Sequence, residues 1–206
     1  MAKVQAPLMS MQASGALGKT LVFFPWKGLK VVRGYVVPAN PNSSAQQTQR
    51  GFLGDAVDLV HAAQIEATHP LDADDVAAYS LRGTTRSSPR TWFNEVVKEY
   101  LDQQVAGLKA AIFRDGEATP GSGSLAISMY YTKQTDGAND ITAGNIIWGT
   151  SKSALINTEA ATIAAGHITC TVSSLPHGTK IFYKFAATLH AHYLGAESGI
   201  YYGTPT

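Results

Sequence analysis

His190-Ala191-His192 is the chain's nearest approach to a metal motif, because residues two apart fall on one side of an extended strand and could share a cation. No carboxylate or third imidazole stands in a ligand pattern beside the pair, so a surface loop is the better reading. The other histidines, His61, His69, His167 and His177, are scattered. Asp72, Asp74 and Asp75 lack the glycine and closing glutamate of a calcium loop. A negative first turn of a helix, favoured by the helix dipole, accounts for them. Asp136-Gly137-Ala138-Asn139-Asp140 is rich in oxygen ligands but reads first as a turn between strands. Arg82, Arg86 and Arg90 recur every four residues, a spacing that shares one helical face. Gly83 and Pro89 interrupt that helix, so a patch of solvated charge is expected there rather than a phosphate site. The single cysteine, Cys170, lies in the alternating stretch His167 to Val172 and reads as a packed strand residue. No phosphate loop, dinucleotide fingerprint or nucleophile elbow occurs. The residues therefore predict no enzyme, no cofactor and no metal.

Three sections must position these groups. Residues 1–42 contain two β-branched and aromatic runs, Leu21 to Phe24 and Val31 to Val37, around Pro25-Trp26-Lys27-Gly28. That pattern predicts a β-hairpin, followed by an extended arm through Pro38-Ala39-Asn40-Pro41. A lone hairpin is marginal in water, so this one must pack on helices or on another chain. The best candidates for such a subunit interface are Leu21, Phe23, Trp26, Val32, Arg33, Tyr35, Asn40 and Pro41. Residues 1–54 carry lysines and arginines but no acid; all 15 acidic residues follow.

Residues 43–114 read as a helical domain. Ser43 or Ser44 caps a first helix whose apolar residues run Phe52, Leu53, Ala56, Leu59, Val60 and Ala63. Asp72, with Asp75 three residues on, predicts a capping box for a second helix. Ser88-Pro89 predicts the start of a third, with a stripe from Trp92 and Phe93 to Val105 and Leu108. Residues 115–206 read as an all-β sandwich. Thr119 to Ser124 is its linker or first loop, and its strands are Leu125–Thr132, Asn145–Trp148, His167–Val172, Lys180–Thr188 and Gly199–Tyr202.

Ser174-Leu175-Pro176-His177-Gly178-Thr179-Lys180, continuing through Ile181 to Ala187, resembles the E–F corner and F strand of a fibronectin type III domain. Ile147-Trp148-Gly149-Thr150-Ser151 resembles the strand that carries that family's buried core tryptophan. The resemblance implies a fibronectin III/Ig-like sandwich and hence an α+β chain in two parts. Gly15-Ala16-Leu17-Gly18, Gly28, Val32-Arg33, Asn40 to Gln47, Arg50-Gly51-Phe52 and Trp92-Phe93 resemble a family of small uncharacterised proteins of phages, prophages and bacterial genomes. That likeness implies a structural or assembly protein of a bacteriophage virion: a decoration, neck or tail component made in the host cytoplasm. Its partners would be other copies of itself and other virion proteins.

The alternative is a surface or carbohydrate-binding adhesion module, with Tyr130, Tyr131, Tyr193, Tyr201, Tyr202 and Trp148 as ring platforms and contact to a host surface or glycan through the sandwich. A net charge of +1 provides no global field toward nucleic acid. The first residues lack the apolar stretch of a signal peptide, and no apolar run is long enough for a membrane span.

Overall fold

The computed structural model describes residues 2–3, 13–37, 39–40, 42–137, 139–189 and 192–206. It divides into two compact units, Met1–Ser43 and Ser44–Thr206. The chain is mixed α+β, with two antiparallel sheets and three helices among the described residues.

The first unit is a small sheet of β1 (Ala2–Lys3), β2 (Gly15–Leu17), β3 (Leu21–Trp26) and β4 (Leu29–Gly34), in the order β1-β4-β3-β2. The expected hairpin is its centre, but the first strand runs on to Trp26, the second starts earlier at Leu29 and stops at Gly34 short of Val37, and the turn is tighter. Pro25 and Trp26 belong to β3, opposite Lys30 and Leu29, and only Lys27 and Gly28 make the turn. Both have positive φ, 49° and 76°, the backbone that lets a two-residue turn match the twist of its strands. Pro25 causes no loss of pairing on its other side, because β2 reaches only residues 21–23.

The second unit begins with α1 (Ser44–Gln64), α2 (Ala73–Thr85) and α3 (Trp92–Val105). It continues with β5 (Ala111–Gly121), β6 (Ser124–Lys133), β7 (Ala143–Gly149), β8 (Asn157–Ala164), β9 (His167–Val172), β10 (Ile181–Leu189) and β11 (Tyr201–Gly203). These strands form one sheet in the order β11-β10-β7-β8-β9-β6-β5. The sheet curls nearly into a barrel around Phe113, Leu125, Met129, Ile146, Ile168, Tyr183 and Phe185, all completely buried. Its ends meet where the carbonyl of Thr206 accepts from the Gly123 N–H at 3.0 Å and the Thr206 N–H donates to the Gly121 carbonyl at 3.1 Å.

The boundary expected at residue 114/115 is not a domain boundary. It falls inside β5, whose alternating side chains serve two cores. Phe113 points into the barrel, while Ile112 packs with Val60, Tyr79 and Val96 of the helices. Residues 119–121, expected as linker, are strand paired with β6. The third helix starts later than Ser88-Pro89 suggests: Thr91 is its N-cap, accepting from the Asn94 N–H at 3.4 Å. The helix ends at Val105, so Leu108 lies beyond it and Val105 is exposed. Leu53, expected on the buried stripe of α1, is also exposed.

Trp148 is only partly buried against the barrel core, and the fully buried residue of β7 is Ile146. No helix among the described residues is long and apolar enough to cross a membrane.

Candidate functional site

In the first unit, strand register sorts the expected interface residues onto two faces. Partners across an antiparallel pair share a face. Phe23 pairs with Val32, and Leu21 lies two residues before Phe23, so those three stand together. Trp26 pairs with Leu29, and Arg33 pairs with Val22 on that same opposite face, where its guanidinium covers the Phe24 ring at 5.4 Å. Lys27 lies over the Trp26 ring at 5.7 Å.

Among the described residues of this unit, Phe23 and Val31 alone are buried, one on each face. Trp26 is 50% exposed, and Tyr35, anchored by its N–H to the Thr20 carbonyl at 2.7 Å, leads into Val36 and Val37, which are 71% and 73% exposed. Seven of the thirteen large exposed apolar residues among those described fall between Leu17 and Val37. A sheet this apolar on both faces has the composition of one covered on both sides. Asn40 is exposed, and Pro41 lies outside the described residues.

The second unit holds a buried charge cluster that overturns the expectation of a solvated arginine patch. Arg82, on the inner face of α2, is 4% exposed. It meets Glu99, lies 3.4 Å from Glu95 and 3.0 Å from Glu197, and donates to the backbone carbonyls of Glu197 and Ser198 at 2.9 and 3.1 Å. Arg86 and Arg90, in the return between α2 and α3, reach the same Glu95 at 2.7 and 3.2 Å, and Lys184 of β10 reaches Glu197 at 2.7 Å. The three arginines converge on Glu95, which Arg82 reaches from α2 and Arg86 and Arg90 from the return; Glu99, one turn further along the same face of α3, meets Arg82 alone of the three. Burial pushes the Glu99 carboxyl up to about 7 and the nearby Glu197 carboxylate adds to this, against the opposing pull of Arg82. Matching fours of arginine and glutamate were the available signal for this cluster. Lys184 and Glu197, far along the chain, carried none.

Asp72 and Asp75 form the expected capping box, with Asp72 accepting from the Asp74 and Asp75 N–H groups at 2.9 and 3.1 Å. Asp75 is more than a first-turn charge. Fully buried, it accepts from the Asp72 and Asp115 N–H groups at 3.2 and 2.8 Å, from the Gly116 N–H at 3.4 Å and from the Tyr201 hydroxyl at 2.7 Å. Desolvation by burial raises its pKa against the lowering effect of those hydrogen bonds. One turn on, the Tyr79 hydroxyl accepts from the Phe113 N–H and donates to the Phe113 carbonyl, both at 3.0 Å. Together Asp75 and Tyr79 satisfy the outer edge of β5 at its bulge, where Asp115 has φ of 52°.

The remaining candidates serve local structure. Cys170 is buried, its thiol donates to the Ala160 carbonyl at 3.6 Å, and burial pushes its pKa up to about 11. Asp140 accepts from the Tyr131 hydroxyl at 2.6 Å, and Asp136 pairs with His192 at 2.7 Å. His190 lies outside the described residues, and no cluster of three metal-ligating side chains occurs among the described ones. His69 stacks on one face of Tyr130 at 3.7 Å and His167 on the ring at 4.5 Å, so that tyrosine is already sandwiched. Tyr131, Tyr193 and Tyr201 are buried. Of the ring platforms expected for a glycan, Tyr202 stays exposed, with the Lys180 ammonium 3.7 Å from its ring centre, and Trp148 is partly buried against the barrel core.

No family model, curated protein or solved structure matches the chain.

Proposed function

We propose that this chain is a non-enzymatic structural protein of a phage particle that packs on neighbouring subunits through its first 43 residues and presents a fibronectin III/Ig-like module. The observation that carries the assembly role is the first unit's sheet, apolar on both faces and exposing Trp26 and Leu21, with exposed Val36 and Val37 just beyond it. Exposed apolar area concentrated in one small element marks an interaction site. The sheet also carries no acid, so it favours an acidic partner surface.

The fibronectin-like assignment draws support from strand order. Lettering β5 to β11 as A, B, C, C′, E, F and G puts A-B-E side by side and C′-C-F-G side by side, joined through C′ and E. In that lettering the segment from the buried Leu175 to Lys180 precedes β10, as the E–F corner precedes the F strand in the family it resembles.

The test is the association state of the full chain by sedimentation velocity over a wide concentration range. Wild type should self-associate or bind its particle, and Leu21→Lys on one face or Trp26→Lys on the other should weaken this with unchanged circular dichroism. A chain that stays monomeric at every concentration, together with particles lacking it that assemble with normal stability and host attachment, rules the proposal out.

A further inference from the structure

Beside the buried charge cluster lies a cavity of about 280 Å³, between the C-terminal end of α2, the bend at residues 151–154 and the outer face of β10. Arg82, Arg86, Lys152 and Lys184 line it, with Glu197 as the one carboxylate in its wall. The cations and acids here do not balance. Around the cavity and cluster stand Arg82, Arg86, Arg90, Lys152 and Lys184 against Glu95, Glu99 and Glu197. The rest of the second unit has the opposite bias, since it carries the other 12 of the chain's 15 acids against six lysines and arginines. The local excess of positive charge is therefore a property of this place and not of the surrounding surface.

Lys152 is the cation whose geometry differs from the others. Arg82, Arg86 and Lys184 each hold a carboxylate, whereas the Lys152 ammonium makes its hydrogen bond to the Thr84 hydroxyl at 3.3 Å. A neutral hydroxyl fixes an ammonium without neutralising it. Ser153, in the same bend, adds a hydroxyl donor to the wall. Two lysine point charges, a guanidinium edge and a hydroxyl around a small open cavity make a receptor for a tetrahedral oxyanion.

We propose that this cavity binds a phosphate-class oxyanion, held by Lys152, Lys184 and Arg86. The site lies wholly within the second unit and is independent of the assembly role of the first. Binding there would tie the 151–154 bend to α2 through an anion that both contact.

The probe is inorganic phosphate, titrated calorimetrically into the full chain at an ionic strength held constant with sodium chloride. The expected result is saturable binding at one site and a rise in Tm with phosphate, by mass action on the folded state. Lys152→Ala should weaken this binding by about tenfold, the scale of one charge contact near a protein surface. Lys180→Ala, a lysine outside the cavity, should leave it at the wild-type value. The proposal is overturned if phosphate gives no saturable signal beyond the chloride control, or if Lys152→Ala binds as tightly as Lys180→Ala.

Discussion

Arg82 is the residue on which the second unit's stability should depend most sharply. Two carboxylates of α3 and one from the segment between β10 and β11 face one guanidinium, at 5% exposure of its side chain. Breaking a buried ion pair from one side leaves uncompensated charge, which costs about 3–5 kcal/mol. Arg82→Met should lower unfolding free energy by that amount in urea titrations; a loss below about 1 kcal/mol would show that Arg86, Arg90 and Lys184 suffice.

Glu99 adds a pH signature. Its folded pKa, about 7, lies above the ordinary 4.5, so the folded state holds a proton that the unfolded chain releases. Its contribution is therefore present at pH 4.5 and below, and is lost as pH rises toward and through 7. Urea midpoints should fall between pH 5 and 8 in wild type, and Glu99→Gln should flatten that slope. An identical slope in both proteins would contradict the assignment. Asp75→Ala should cost about 3 kcal/mol, because it strands three donors at the β5 edge and near the barrel seam, while Asp75→Asn, which keeps an acceptor, should cost less.

At the scale of elements, α2 packs across the two ends of the curled sheet. Asp75 and Tyr79 close the β5 edge, and the Ile200 N–H donates to the Ala78 carbonyl at 3.0 Å. Gly199 lets that approach occur: a Cβ there would lie 2.8 Å from Ala78 and 2.9 Å from the Tyr79 nitrogen. Gly199→Ala should therefore destabilise by about 1–3 kcal/mol, as overpacking does. Gly54→Ala in α1, with nothing within 4 Å, should stabilise by about 0.5–1 kcal/mol. Paired thermal melts check both signs.

The same elements show what was legible in the sequence. The Asp72/Asp75 box could be read because capping is local, and β9 matched its expected bounds because His167 to Val172 alternates. β8 was missed because its residues are mostly exposed and small, leaving no alternation to read. β5 was missed because Gly116 and Pro120 look like punctuation; one sits at a bulge and the other on an edge strand. The arginine cluster was misjudged because its carboxylates come from α3 and from residue 197, and only the fold brings those together.

For the whole molecule, the division that matters is at Ser43, not at residue 114. The helices and the curled sheet share their cores through β5, so they fold as one body. The first unit holds a basic sheet whose apolar faces are the strongest indication of a partner. In the proposed role, that sheet is completed by a neighbouring subunit.

An electron cryo-microscopy map of the native particle tests this most directly. The account predicts residues 15–37 buried against an adjacent subunit, with Trp26 and Leu21 in contact on their opposite faces. A map in which that sheet faces solvent in every copy would contradict it.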